Sequence, residues 1–500
     1  MRGGSVEFGW MERPKGGTAS TCTDGRWAAP EIYDVPGFRV ALWVASFGIA
    51  ALLWNAVCTV PGIPWNPARL APSFALAYGL PIYALRDSGA QLGWFYGPVF
   101  PLWYFPATFT DNPTLALVSA AIENIVTLIV PVLLVIYRAG ATHRRTFIVA
   151  AVFCAALLLG SPSFRWTFYF LHVDTVCLAC GLVACTALHY AAQRPVGWAL
   201  HVAAIAVALA LWTKQVAVML APGMLIWLWA EGCRRLIWPF FFWCGAYVGL
   251  TTAVVFARFG GEEIMFNLVL VHLGNPLKGG GAPLRDLVAT LASGVGIWVP
   301  AALCCLMWGR RRAVQPLTND SSSLIRLLLW VALSQLPLGV LASLKAGGGL
   351  NSVHSLHYAF VAGVVLVVHV LSQPVAAVGR ARWESLWWGA ALLLPVASGW
   401  WLEGKADTAW TIHRGQEPML AMVRENPGRY YLPWNPLVTL IGERRVYPFD
   451  DALYCLWLSG LEVPVEKVRA AVPAKPIIVY PEQVQSKFAL RYFPELQRDK

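Results

Sequence analysis

Residues 114–145 read TLALVSAAIENIVTLIVPVLLVIYRAGATHRR, a mostly apolar run followed directly by a basic loop. A run of this length can cross about 30 Å of hydrocarbon as a helix. Such runs recur along the chain and predict an all-α polytopic membrane protein with about eleven transmembrane helices. The candidate spans are 38–60, 114–137, 146–161, 172–192, 196–213, 216–231, 236–256, 286–308, 324–344, 354–373 and 383–402.

The composition supports a membrane protein. Hydrophobic residues make up 57% of the chain and charged residues only 13%, too few to cover the surface of a soluble protein of 500 residues. The net charge of +11 requires no nucleic-acid partner, because basic cytoplasmic loops account for it. The eleven cysteines lie mostly in apolar runs. We therefore interpret them as small packing residues rather than as metal ligands.

The loops orient the chain. With the N-terminus in the cytoplasm, every inside loop is basic, as the positive-inside rule requires. These loops are RAGATHRR (138–145), AQRPVG (192–197), EGCRR (231–235), GRRRAVQP (309–316) and GRAR (379–382). The sequence thus predicts a multi-pass protein of a bacterial inner membrane. It would have a cytoplasmic tail (1–37), a membrane domain (38–402) with a long first outer loop (61–113), and a soluble periplasmic α/β segment (403–500).

This orientation places most of the unusual polar residues on the outer side. Ionisable groups at membrane depth are costly and commonly mark function. Structural alternatives stay open: Asp174 could favour the start of a helix, and Lys214 could extend to the interface. The residues concerned are Arg69, Asp87, Arg165, His172, Asp174, Lys214, Gln215, Lys345, Asn351 and His354.

Two outer stretches have unusual composition. LKAGGGLNSVH (344–354) is either a plain connector or a wall for a phosphate, since glycines let the backbone N–H groups approach an anion closely. GWFYGPVFPLWYFPA (93–107) is either an interfacial aromatic belt or a platform for a sugar ring or a lipid tail. In the second case Trp94 and Tyr96 would contact the sugar or the acceptor.

The order of these motifs resembles the type-C glycosyltransferase (GT-C) superfold. Within it, the likeness is to the bacterial dolichyl-phosphate-mannose-type and RgtA-like families, over residues 40–400. It rests on ALAYGLPIYA (75–84), FYGPVFPLWYFPA (95–107), FLHVDTVCLACGL (170–182), LALWTKQVAVMLAP (209–222) and LKAGGGLNSVH (344–354).

The resemblance implies a hexosyl- or pentosyltransferase that uses a polyprenyl-phosphate sugar and a glycan, lipid or protein acceptor. Asp87 and Asp174 are then the catalytic candidates. His354 would join Trp94 and Tyr96 at the sugar or acceptor. The implied donor-phosphate contacts are Arg69, Arg165, His172, Lys214, Gln215, Lys345 and Asn351. No cofactor is fixed; a divalent metal stays open, with Asp87, His172 and Asp174 as part of its site.

The sequence departs from the superfold at one important place. Members usually carry an Asp or Glu, the catalytic base, soon after the first span. Here that stretch reads PGIPWNPARLAP (61–72) and contains Asn66 and Arg69 but no carboxylate. Two other functions therefore stay open: a transporter or flippase of a lipid-linked or polar substrate, and a non-catalytic scaffold.

Overall fold

The structure, a computed structural model, describes residues 36–89, 92–140, 144–194, 196–311, 319–371, 381–404, 416–480 and 487–494. The predicted tail 1–37 lies almost wholly outside these ranges, as do parts of four basic loops (138–145, 192–197, 309–316 and 379–382) and of segment 403–500. Helices dominate the described residues. They are α1 (Pro36–Thr59), α2 (Trp65–Ala77), α3 (Val99–Trp103), α4 (Pro113–Arg138), α5 (Arg144–Leu159), α6 (Pro162–Tyr169), α7 (Val173–Gln193), α8 (Gly197–Leu211), α9 (Leu220–Ala230), α10 (Ile237–Phe259), α11 (Gly261–Met265), α12 (Val271–Gly274), α13 (Ala282–Ala292), α14 (Val295–Arg311), α15 (Asn319–Leu344), α16 (His354–Leu371), α17 (Ala381–Gly404), α18 (Glu417–Glu425), α19 (Pro436–Glu443), α20 (Asp450–Leu458) and α21 (Val465–Ala470).

Short helical turns and one small strand pair complete the described chain. Strands β1 (Tyr430–Tyr431) and β2 (Ile477–Ile478) pair in parallel. A π-helical turn, Phe266–Leu270, precedes α12. The 3₁₀ turns are Val60–Gly62, Arg86–Ser88, Phe105–Phe109, Gln215–Met219, Arg234–Leu236, Leu350–Val353 and Phe488–Tyr492.

The apolar helices follow the predicted spans in order. Among the described residues, six are long and apolar enough to cross a membrane, or up to eight if each of two bent pairs is one span. The shorter apolar helices Gly197–Leu211, Gln215–Ala230 and Leu386–Leu402 coincide with the remaining predicted spans. The total of about eleven crossings stays a prediction.

The predicted span 286–308 is not one straight helix. It divides into α13 and α14, which meet at an angle of 51°. The break falls at Ser293–Gly294, a pair that favours a kink. Tertiary contacts hold it, because the carbonyl of Ser293 leaves the helical pattern and accepts hydrogen bonds from Ser161 Oγ (2.9 Å) and the Ser163 amide (3.3 Å). The region between α5 and α6 is thereby joined to this bend.

The helices have two chemically different ends. At the basic end, Arg138 donates to Gln193 (3.0 Å), and Arg326 forms an ion pair with Glu231 (2.5 Å). The opposite end carries Asp174 at the start of α7 and Lys214 just after α8. We call this second end the polar end.

The C-terminal segment packs on the first long loop instead of standing apart from it. One buried cluster contains Ala68 and Phe95 from the loop together with Trp434, Tyr447 and other side chains of the segment. Gln416 also donates to the carbonyl of Pro61 (2.7 Å). The segment therefore helps to position the loop and the surfaces beside it.

Gly97 brings the aromatic stretch against the turn after α8. A Cβ on this residue would lie 1.6 Å from the carbonyl oxygen of Trp212, so alanine requires a backbone shift. We expect Gly97→Ala to destabilise the protein by about 3 kcal/mol and to lower its unfolding temperature in detergent. Gly249→Ala is the matched control, since nothing lies within 4 Å of its Cβ position. Equal unfolding temperatures for both variants would contradict this packing.

Candidate active site

A cavity of about 760 Å³ opens at the polar end. Its wall combines the first long loop, the turn after α8, the π turn with α12, the end of α15 with its glycine loop, and α20. Leu268, Val269, Leu338 and Leu341 give part of the wall an apolar surface. The cavity can thus accommodate a ligand that is partly apolar and partly charged.

Lys214 lies on the cavity wall and is held from behind by Asp174. Its Nζ is 2.5 Å from Asp174 Oδ1, while His172 Nδ1 (2.5 Å) and Asn351 Nδ2 (2.8 Å) contact Oδ2. Burial alone would lower the pKa of Lys214, but the adjacent carboxylate raises it above its usual value, so the ammonium is charged. Asp174 itself is buried, and its oxygens are already engaged by donors. It is a counter-ion that positions Lys214.

Lys345 is a second cation on the wall and has a different environment. Its Nζ donates to the carbonyl of His272 (2.8 Å), and no described carboxylate forms an ion pair with it. His272 in turn donates from Nε2 to the carbonyl of Phe95 (2.8 Å). Lys345 therefore retains a charge that a ligand anion can neutralise.

The glycine loop that follows Lys345 is held in one conformation. Lys278 Nζ donates to the carbonyls of Ser343 (2.8 Å) and Gly348 (2.9 Å). Gly347 has a φ of +84°, which favours glycine, and a Cβ on Gly348 would meet the carbonyl oxygen of Ala342 at 1.9 Å. Gly347 and Gly348 both line the cavity. The loop is therefore a shaped part of the wall and not merely a connector.

Arg69 is the third cation of the wall. Its guanidinium lies over the ring of Trp65, 4.9 Å from the centroid, and 5.9 Å from that of Tyr96. Its nearest acidic group is Asp451 of α20, with Arg69 Nη2 3.8 Å from Oδ2. Stacking on aromatic rings orients the guanidinium while leaving its N–H groups for other partners.

The predicted site residues fall into three sets. Those on the cavity wall are Arg69, Tyr96, Lys214, Gln215, Lys345 and Asn351. His172, Asp174 and His354 form a supporting network behind the wall, where His354 contacts the carbonyl of Ser163 (2.8 Å). The other three, Trp94, Arg165 and Asp87, do not line the cavity.

Each of these three has a structural reason for its position. Trp94 is buried, stacks on Phe100 with centroids 5.0 Å apart, and donates to the carbonyl of Gly97 (3.1 Å). Arg165 donates to the carbonyl of Leu402. Asp87 lies on an exposed 3₁₀ turn. We therefore place none of the three in the reacting site.

The C-terminal segment contributes cavity residues that the sequence did not predict. Asp450, Asp451, Trp434 and Tyr454 all line the cavity. The acidic pair opens α20 in the stretch PFDDAL (448–453), a signal that is visible in the sequence. Nothing in the sequence indicated that this helix docks beside Arg69.

Asn66 occupies the stretch in which the resemblance leads one to expect a carboxylate, but its role is structural. Its amide donates to the carbonyls of Val60 (2.9 Å) and Tyr169 (2.7 Å) and accepts from the Leu171 amide (2.9 Å). The residue is fully buried. It joins α2 to the segment that leads into α7.

An acid at position 66 should therefore harm the protein. In Asn66→Asp, a carboxylate oxygen would face two carbonyl oxygens, and we expect a loss of about 3 kcal/mol of stability without any gain of activity. Thermal unfolding in detergent measures the loss. Asn112→Asp is the control, because Asn112 caps α4 by accepting from Leu115 and aspartate caps equally well. Unchanged stability in Asn66→Asp would contradict this role.

The three residues considered for a divalent metal do not come together. His172 and Asp174 are in contact, whereas Asp87 lies on its exposed turn. Within the described ranges, no group of three or more His, Cys, Asp or Glu side chains is placed to hold a metal ion.

Known proteins resemble the chain in sequence and in structure. Residues 108–257 match the model of the dolichyl-phosphate-mannose-protein mannosyltransferase family. The crystal structure of ArnT from Cupriavidus metallidurans bound to undecaprenyl phosphate is similar, with a TM-score of 0.53 and 13% identity over 84% of this chain and 89% of that chain. The apo crystal structure of the same protein is also similar, with a TM-score of 0.52 and 13% identity over 83% of this chain and 90% of that chain. No curated protein sequence matches the chain.

These likenesses confirm the predicted fold class. The chain is a mainly helical multi-pass membrane protein with the GT-C fold. The structural match extends over 84% of this chain, although only 13% of the matched residues are identical. Function has to be argued from the residues of the cavity.

Proposed function

We propose that the protein is an integral membrane glycosyltransferase. It transfers a hexosyl or pentosyl group from a polyprenyl-phosphate donor to a hydroxyl of a glycan, lipid or protein acceptor. The observation that carries the proposal is the meeting of three cations, Arg69, Lys214 and Lys345, with an apolar wall in one cavity. The bound undecaprenyl phosphate of the ArnT structure supports a lipid-phosphate donor of this kind.

The cavity matches the two halves of such a donor. Its apolar wall, which includes Leu338 and Leu341, suits the first isoprene units. Lys345 and Arg69 suit the phosphate, with the glycine loop close to it. Tyr96 lines the same cavity, where its side chain would contact the sugar.

The residues favour the departure of the lipid phosphate. When the bond between the anomeric carbon and the phosphate oxygen breaks, negative charge accumulates on that phosphate. Fixed cations stabilise such a charge more in the transition state than in the donor, and they need no reorganisation at that moment. Lys214 is held by Asp174 and Lys345 by the carbonyl of His272, so both are preorganised.

We place the cavity on the periplasmic side of a bacterial inner membrane. The polar end lies opposite the helix ends that lead into the basic loops, which the positive-inside rule assigns to the cytoplasm. In this arrangement the tail 1–37 is cytoplasmic, residues 38–402 form the membrane domain, and segment 403–500 is periplasmic, with α20 on the cavity wall.

A transfer assay tests the proposed function. Purified protein in lipid nanodiscs would receive radiolabelled polyprenyl-phosphate hexoses and pentoses together with envelope glycans and lipids. We expect label in the acceptor and release of polyprenyl phosphate. Movement of an intact lipid-linked sugar across vesicles, without transfer from any donor, would identify a transporter and overturn the proposal.

A further inference from the structure

The carboxylates near the cavity differ in how strongly they are engaged. Asp174 does not line the cavity. Its carboxylate oxygens are in polar contact with the side chains of Lys214, His172 and Asn351. Of the described residues, Asp450 and Asp451 are the acidic side chains on the cavity wall. Both come from α20, in the C-terminal segment.

Asp450 has a structural role within that segment. Its Oδ1 accepts hydrogen bonds from the Tyr480 hydroxyl (2.7 Å) and the Ala489 amide (2.6 Å). These bonds connect the start of α20 to the chain beyond β2. Asp450 is also almost fully buried, at 1% exposure. Its Oδ2 is buried without a hydrogen-bond partner among the described residues, and on the same measure Asp451 is more exposed, at 7%. Asp450 is therefore less accessible to a substrate than Asp451.

Asp451 is much less engaged. Within the described chain its side chain has two polar contacts, both long: Cys455 Sγ at 3.8 Å from Oδ1 and Arg69 Nη2 at 3.8 Å from Oδ2. Its side chain retains 9% exposure, on the cavity side. Burial raises the pKa of Asp451, and the guanidinium of Arg69 partly opposes that rise. A loosely held carboxylate with a raised pKa is suited to accept a proton.

We propose that Asp451, supplied by the C-terminal segment, is the general base of the transfer reaction. This inference rests on the proposed function. Its position beside Arg69 brings a carboxylate to the stretch 61–72, which contains none of its own. The acceptor would enter between α20 and Tyr96, with its hydroxyl in contact with Asp451.

The step balances as a substitution. The acceptor oxygen forms a bond to the anomeric carbon as the bond from that carbon to the phosphate oxygen breaks. The hydroxyl proton passes to the carboxylate of Asp451 and then to water. The bonding electrons leave with the polyprenyl phosphate, whose added charge lies beside Arg69 and Lys345.

Kinetics of three variants test this inference. General-base catalysis contributes about 10² to 10⁴-fold. We therefore expect Asp451→Asn to lower kcat by at least about 100-fold while the donor KM stays within a few-fold of wild type. Asp451→Glu should recover part of kcat. Asp87 is an exposed acid outside the cavity, so Asp87→Asn should have the same kcat and KM as wild type.

Two further measurements separate catalysis from structure. Undecaprenyl phosphate should still bind to Asp451→Asn, because the substitution only removes a negative charge beside Arg69. A loss of binding would mean that the C-terminal segment has lost its fold. That result would contradict a purely chemical role for Asp451. The acidic limb of the wild-type kcat/KM profile should disappear in Asp451→Asn. If wild type transfers sugar and Asp451→Asn is equally active, this inference fails and the proposed function stands. If wild type transfers nothing, both fail.

Discussion

Replacing Asp174 with asparagine should destabilise the protein by about 3–5 kcal/mol and abolish sugar transfer. The substitution leaves the buried ammonium of Lys214 without its counter-charge. The side-chain N–H₂ group of the new asparagine would also face His172 or Asn351, both of which contact the carboxylate in the native protein. Thermal unfolding in nanodiscs measures the first effect, and the transfer assay measures the second.

A double variant gives this prediction a sharp control. In Asp174→Asn/Lys214→Met the buried charge is removed together with its partner, so we expect stability to recover by more than 1 kcal/mol relative to Asp174→Asn, on the order of a buried-pair coupling. Activity should stay absent, because Lys214 is one of the cations of the wall. Strictly additive losses would contradict the coupling of these two residues.

Lys345→Met should lower kcat/KM for the lipid-linked donor by about 100-fold or more, on the scale of losing one fixed stabilising group. The ammonium of Lys345 donates to the backbone carbonyl of His272 and forms no ion pair with a described carboxylate, so its charge is free to stabilise the phosphate. The side chain of methionine preserves the apolar stem. Affinity for undecaprenyl phosphate should fall as well, and the fall should lessen as salt rises.

A lysine outside the cavity provides the comparison. Lys475 is exposed in the C-terminal segment and does not line the cavity. Lys475→Met removes the same charge from the protein and should leave donor binding and turnover unchanged. If both variants lost activity equally, the effect would be one of net charge, and Lys345 would have no special role.

The sequence predicted the helices better than it predicted their breaks. Long apolar runs such as 113–138 must be helical, since lipid cannot satisfy backbone groups. The bend between α13 and α14 falls at Ser293–Gly294, a pair that often marks a kink. The hydrogen bonds from Ser161 and Ser163 that hold it come from more than a hundred residues away, and the sequence does not predict them.

The same contrast holds for the candidate site. The contact between Lys214 and Asp174 agrees with a prediction that placed both residues on one side of the membrane, where only a few groups compete for partners. The approach of Asp451 to Arg69 had no such guide, because hydrophobic periodicity says nothing about how a segment outside the membrane docks. Trp94 shows a related limit: composition identifies an aromatic stretch but not which rings face inward.

The proposed donor site is tested most directly by a cryo-EM structure of the protein in nanodiscs with undecaprenyl phosphate. We expect density for the phosphate between Lys345 and Arg69, beside Gly347 and Gly348, with the prenyl chain along Leu338 and Leu341. A phosphate bound elsewhere, or a cavity left empty at saturating lipid phosphate, would contradict the claim that this cavity is the donor site.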